Sequence, residues 1–167
     1  MDTDELLLSF AALLSHVMRA DGKTTQDEKE VMEAMFAKMR LTRAQYALAI
    51  GSFMLVQWKG GSPKADAEKL AELLNGTGRT FLYGLLWRVA NADWRVAKCE
   101  ERLLDEIGAA LEIDEGIRAQ YVRGSVPTLR AADLEAAGVP SILARLGDDG
   151  EVTGTAAGGL GFWSRFG

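Results

Sequence analysis

The chain has 167 residues, 48% of them hydrophobic, which suffices for one domain with a real core and leaves two independent domains small. A formal net charge of -5 and a pI near 5.0 speak against a nucleic-acid binder, because phosphate neutralisation needs clustered Lys and Arg and no such cluster occurs. Cations and basic partners are the more natural ligands of so acidic a chain. Cys99 is the only cysteine, so no intrachain disulfide can form, and the expected compartment is the cytoplasm.

Asp2, Asp4 and Glu5 stand where a secretory signal would carry basic residues. The apolar run Leu6–Met18 is interrupted by Ser9, Ser15 and His16 and spans about 13 residues, against roughly 20 for a membrane span. It reads as a buried helix: Leu6, Leu7, Phe10, Leu13, Leu14 and Val17 recur at helical spacing until Asp21-Gly22 stops them. Thr25 with Glu28 has the form of a capping box and opens a second helix through Val31, Met32, Met35, Phe36 and Met39. Thr42 with Gln45 repeats the device for a third, through Tyr46, Ile50, Phe53, Met54 and Trp58. Gly60-Gly61 breaks the chain, and Ser62 and Pro63 suit the N-cap and first position of a short fourth helix ending near Asn75-Gly76. Phe81, Leu82, Leu85, Leu86 and Val89 mark a fifth, Glu100 to Leu111 a sixth, and Asp114 to Val122 a seventh. No strand pattern competes with them.

Beyond Pro127 the character changes. Leu129, Leu134, Val139, Ile142, Leu143 and Leu146 fit a small helical hairpin turned at Ala137-Gly138-Val139-Pro140. From Gly147 the chain is too rich in glycine and too poor in apolar residues to fold alone, which predicts a flexible linker. It leads to Phe162, Trp163, Arg165 and Phe166, side chains suited to docking in a groove of another protein or of a second copy of the chain, although the tail can equally fold back on its own body or have no role. The expected organisation is an all-α helical domain over residues 1–125, an accessory hairpin over 126–146 and a tail over 147–167.

The sequence also repeats itself. Ala20-Asp21-Gly22 with Glu28 recurs as Ala92-Asp93-Trp94 with Glu100, and 93 − 21 and 100 − 28 both equal 72. The flanks match at the same offset: Leu13, Leu14, Val17, Val31, Met32 and Leu41 fall on Leu85, Leu86, Val89, Leu103, Leu104 and Ile113. An internal duplication, about 6–41 and 78–113, would bring four carboxylates near a common axis. Their oxygens suit a divalent cation such as Mg²⁺, Ca²⁺ or Mn²⁺. An EF-hand does not fit, because Val17 and Arg19 would occupy two ligand positions and Trp94 replaces the turn glycine. Ordinary helix chemistry competes: Glu28 suits a capping box and the helix dipole, Asp21 and Asp93 suit turns, while Ala97 leaves Glu100 only the dipole.

The runs LLSHVMRADGKTTQDEKEVMEAMF and LWRVANADWRVAKCEERLLDEIGAALEID, with FMLVQWKGG and a short helix between, resemble the tellurite-resistance TerB-like domain, including the version at the N-terminus of the DnaJ-like membrane protein DjlA. The likeness covers about Leu6 to Tyr121 and rests on the two-copy Ala-Asp-(Gly)-x5-Glu pattern. It implies an all-α bundle of two pseudo-symmetric halves, with Asp21, Glu28, Asp93 and Glu100 as a divalent-metal site and a stress-associated or scaffolding role. Trp94 departs from the family's usual second glycine, and no transmembrane helix or J-domain His-Pro-Asp signature is present, so co-chaperone activity is not implied.

An enzyme has less to stand on. His16 is the only histidine and reads as a helix-surface or satisfied core residue, Glu100 and Glu101 beside Cys99 oppose a thiolate, and no phosphate-cradling loop follows a strand. The alternative to a binding module is a metal-dependent enzyme, hydrolase-like, built on the acids; it would need an open coordination position and a separate base. Trp58, Trp87 and Trp163 read as core or rim, whereas Trp94, next to Asp93, would cover the acids or offer a contact to a partner.

Overall fold

Caps and breakers in the sequence decide where each helix starts and stops. The structure, a computed structural model, describes residues 3–20, 26–91 and 98–148, without the side chains of Lys98 and Cys99. Nine helices occur among the described residues and no strand: α1 Thr3–Met18, α2 Gln26–Met39, α3 Arg43–Lys59, α4 Pro63–Leu73, α5 Gly76–Ala90, α6 Lys98–Ala110, α7 Glu115–Val122, α8 Ala131–Ala136 and α9 Ser141–Ala144. The capping box before α3 is formed, with the Gln45 N–H donating to Thr42 Oγ1 at 3.1 Å and the Thr42 N–H donating to Gln45 Oε1 at 2.9 Å. Ser62 Oγ accepts from the Ala65 N–H at 3.1 Å, and Pro63 occupies the first turn of α4. Thr25 lies outside the described residues.

α4 ends at Leu73, near Asn75-Gly76 as expected, and Asn75 has a further role. It caps α5, its Oδ1 accepting from the Gly78 N–H at 2.9 Å. An Asn before Gly serves a turn or an N-cap equally well, because the same short side chain bonds a backbone N–H in both. The duplication is written into the helix bounds: 72 added to Met18 gives 90, the end of α5, and 72 added to Gln26 gives 98, the start of α6.

α1 holds the centre. Leu6, Leu7 and every residue from Ser9 to Met18 are buried, and the helix packs against α3, α4, α5 and α6. A helix apolar on all sides belongs in the middle of a bundle. The repeat gives α5 a similar place, against α1, α2 and α6. Polar groups on α1 and just after it find partners on α3: Ser15 Oγ donates to the Phe53 carbonyl at 2.8 Å, and Arg19 Nη1 donates to the Val56 carbonyl at 2.5 Å.

The C-terminal hairpin joins the same core through Leu134, Val139, Ile142, Leu143 and Leu146. Three hydrogen bonds of 2.8 Å tie it down: Lys38 Nζ to the Gly147 carbonyl, Arg145 Nη1 to the Met39 carbonyl and Asn75 Nδ2 to the Ala137 carbonyl. Gly147 and Asp148, expected to begin the linker, are still held by backbone bonds, Gly147 N–H to Ala144 O at 2.9 Å and Asp148 N–H to Leu129 O at 2.7 Å. An isolated parallel bridge pairs Asp148 with Arg130. The rest of the tail lies outside the described residues.

Trp87 is buried, as read from its position, but Trp58 is 80% exposed. The cause is that α3 is apolar on both sides. Ala49, Phe53 and Val56 are buried, while Ala47, Leu48, Gly51, Met54, Leu55 and Trp58 are exposed. Periodicity alone cannot say which apolar side of such a helix is covered.

Candidate acidic site

Two helix starts position the acids. Glu28 is the third residue of α2 and Glu100 the third of α6, each lying beside another acid in its first turn. The free N–H groups and the dipole at a helix N-terminus favour a carboxylate there. That preference does not require burial, and the neighbours show it: Asp27 is exposed and Glu101 only half-buried, yet Glu28 and Glu100 are 2% and 4% exposed. Glutamate is almost never so enclosed unless something compensates its charge, because withdrawing a carboxylate from water is expensive. Burial at two equivalent places, one in each copy of the repeat, sets this pair apart from ordinary first-turn acids.

The approach to each helix start is anchored. At the end of α1, the Arg19 N–H donates to the Ser15 carbonyl at 3.1 Å and the Ala20 N–H to the Val17 carbonyl at 3.3 Å. At the end of α5, Asn91 closes the helix by donating to the Trp87 carbonyl from its backbone at 3.0 Å and from Nδ2 at 2.9 Å. The other two expected ligands, Asp21 and Asp93, lie outside the described residues, as do Trp94, Phe162, Trp163, Arg165 and Phe166. Among the described residues no three His, Cys, Asp or Glu side chains gather into a metal-sized group. The donor set of the described pair, two buried carboxylates, has the hard oxygen chemistry that Mg²⁺, Ca²⁺ and Mn²⁺ take.

His16 is occupied elsewhere. It is buried, and its Nε2 stands 3.1 Å from Asp66 Oδ2, joining α1 to α4. The reading as a satisfied core residue matches this geometry.

A second buried polar group escaped sequence reasoning. Tyr83 stacks on Tyr121 with ring centroids 5.4 Å apart and meets Trp87 edge-on at 6.4 Å. Burial pushes both tyrosines above their ordinary pKa and pulls Arg88 below its own. Arg88 Nη2 donates to Thr128 Oγ1 at 3.2 Å, tying α5 to the segment that leads into α8. The signal available in the sequence was the i, i+4 spacing of Tyr83 and Trp87 within α5.

The family model described as Tellurite resistance protein TerB matches residues 7–121, which include α1 from Leu7 through to Tyr121 in α7 and both copies of the acidic repeat. No curated protein and no solved structure matches the chain.

Proposed function

Because the chain belongs to the TerB family, we propose that it is a non-catalytic binding or scaffolding module, associated with stress, in which Asp21, Glu28, Asp93 and Glu100 hold a divalent cation. One observation carries the cation reading: Glu28 and Glu100 are buried at equivalent positions of two repeats while the acids beside them are not. Two carboxylates enclosed at matching helix starts of an acidic chain offer the hard oxygen ligands that a divalent cation takes. The cation would join the starts of α2 and α6, making it a clasp between the two halves of the repeat. Binding in place of catalysis is supported by the burial of His16, the one histidine of the sequence, where α1 meets α4 beside Asp66. The family's name records tellurite resistance, and that role is not carried to this chain.

The second element is the tail. Phe162, Trp163 and Phe166, after a glycine-rich spacer, have the composition of an anchor for a protein groove, with Arg165 placed for an acidic rim.

Calorimetric titration of the metal-stripped full-length protein with Mg²⁺, Ca²⁺ and Mn²⁺ tests the site. The reading expects saturable binding that Glu28→Gln with Glu100→Gln removes; no binding of any of the three at millimolar concentration overturns it. For the tail, Trp163→Ala should reduce what the intact protein captures from lysate, and an unchanged set of bound proteins would set the anchor aside.

A further inference from the structure

The solvent side of α3 is built as a seam and lacks a cover among the described residues. Ala47, Gly51, Met54 and Trp58 follow one another at steps of four, three and four residues, the spacing of positions d and a in a coiled coil, with Leu48 and Leu55 alongside. All six are exposed; Met54 is 57%, Leu55 51% and Trp58 80% accessible. A contiguous apolar stripe of this kind marks a contact surface, because large exposed apolar patches are rare on monomers. Gly51 leaves a dent at its middle, since a Cβ added there would meet nothing within 4 Å.

We propose that this face is covered in cis by the chain's own C-terminal segment, with Phe162, Trp163 and Phe166 seated on Met54, Leu55 and Trp58. The proposal rests on the reading of the tail as an aromatic anchor and names where that anchor sits when no other partner holds it.

The first support is where the described chain stops. Arg145 Nη1 donates to the Met39 carbonyl and Lys38 Nζ to the Gly147 carbonyl, both at 2.8 Å, so the described chain stops at Asp148 close to the C-terminus of α2. α3 begins a few residues on, at Arg43. The last described residues therefore lie near the N-terminal end of the seam. From Ala47 to Trp58 the seam is about 16 Å long at 1.5 Å per residue. From Asp148 to Phe162 the chain has 162 − 148 = 14 residues, and a glycine-rich coil of that length has an r.m.s. span of about 20 Å. A linker whose r.m.s. length is close to the distance to be bridged gives the highest effective concentration, of millimolar order.

Charge is the second support. α3 contains no Asp or Glu, and Arg40 and Arg43 are both exposed at the corner where it begins. The tail opens with Asp149 and Glu151 and then carries no charge until Arg165. Docked as proposed, its acidic start would meet the basic start of the helix, and its uncharged, aromatic remainder would follow the apolar seam.

Paramagnetic relaxation in the full-length chain tests the assignment. A nitroxide is placed at residue 164 by Ser164→Cys in a Cys99→Ser background, and the amide and Trp58 indole signals of the ¹⁵N-labelled protein are followed. The proposal expects signals from Ala47 to Trp58 to lose most of their intensity, and to recover when Met54→Glu is added; Met54 is exposed, so that change leaves the core intact. No loss along α3 overturns it. Loss of equal size when spin-labelled ¹⁴N protein is mixed with unlabelled ¹⁵N protein overturns the cis assignment and makes a second copy the occupant. Failure of cis docking together with Trp163-dependent capture of another protein would leave the anchor reading standing, so the two fail separately.

Discussion

Leu14 and Leu86 occupy matching positions of the two repeats and are both fully enclosed, one in α1 and one in α5. Truncating either to alanine leaves a cavity between helices that touch on several sides, so each substitution should cost about 2–5 kcal/mol in chemical denaturation. Similar losses at the two sites, with a single transition in each, are expected of one cooperative core. Tyr83 gives a different kind of prediction. Its hydroxyl is buried and its pKa is raised, chiefly by desolvation. The folded chain therefore keeps a proton that the unfolded chain gives up, and the stability linked to this group is full below pH 10.0, the ordinary tyrosine value, and lost as pH rises through the raised value. Tyr83→Phe should blunt the fall in melting temperature above pH 10.0, with the remaining slope due in part to Tyr121, which shifts the same way. An alkaline melting profile unchanged by the substitution would contradict this.

Glycines distinguish the elements from one another. At Gly147, a Cβ would stand 2.7 Å from Leu134 Cδ1, 2.8 Å from the Leu129 carbonyl oxygen and 2.9 Å from the Ala131 nitrogen, two of them backbone atoms that cannot step aside. Gly147→Ala should loosen the α8–α9 hairpin and lower stability by about 1–3 kcal/mol. Gly51, in the middle of α3 with open space around it, should behave oppositely: Gly51→Ala removes a helix-weakening residue and should add about 0.5–1 kcal/mol. Denaturant midpoints of the two variants check both signs. Much of this element structure was legible in the sequence. Thr42 with Gln45 and Ser62 with Pro63 announced two helix starts because caps are local chemistry, settled within a turn of chain. The capping role of Asn75 was not legible because a turn and a cap use the same side chain, nor the exposure of Trp58, because only tertiary packing decides which side of an all-apolar helix is covered. His16 with Asp66 joins residues fifty positions apart, a pairing that no local pattern announces.

At the scale of the whole molecule, the repeat does the organising. The offset that aligned the two acidic patterns also aligns the end of α1 with that of α5 and the start of α2 with that of α6. Of the candidate site, Glu28 and Glu100 were legible as repeated acids, but their burial was not, since a first-turn acid looks the same in sequence whether it faces water or the core. This enclosed pair, with Asp21 and Asp93, is proposed to bind a divalent cation that clasps the two halves together. An ion that binds only the folded chain stabilises it through linkage, by about 2.7 kcal/mol at one hundred times its dissociation constant. The most direct measurement is therefore the melting temperature of the metal-stripped full-length protein with chelator and with Mg²⁺, Ca²⁺, Mn²⁺ or Zn²⁺, alongside the Glu28→Gln, Glu100→Gln double variant. A rise is expected with at least one of the hard ions Mg²⁺, Ca²⁺ and Mn²⁺ in the parent protein and none in the variant; a parent protein that melts at the same temperature with every ion at millimolar concentration rules the site out.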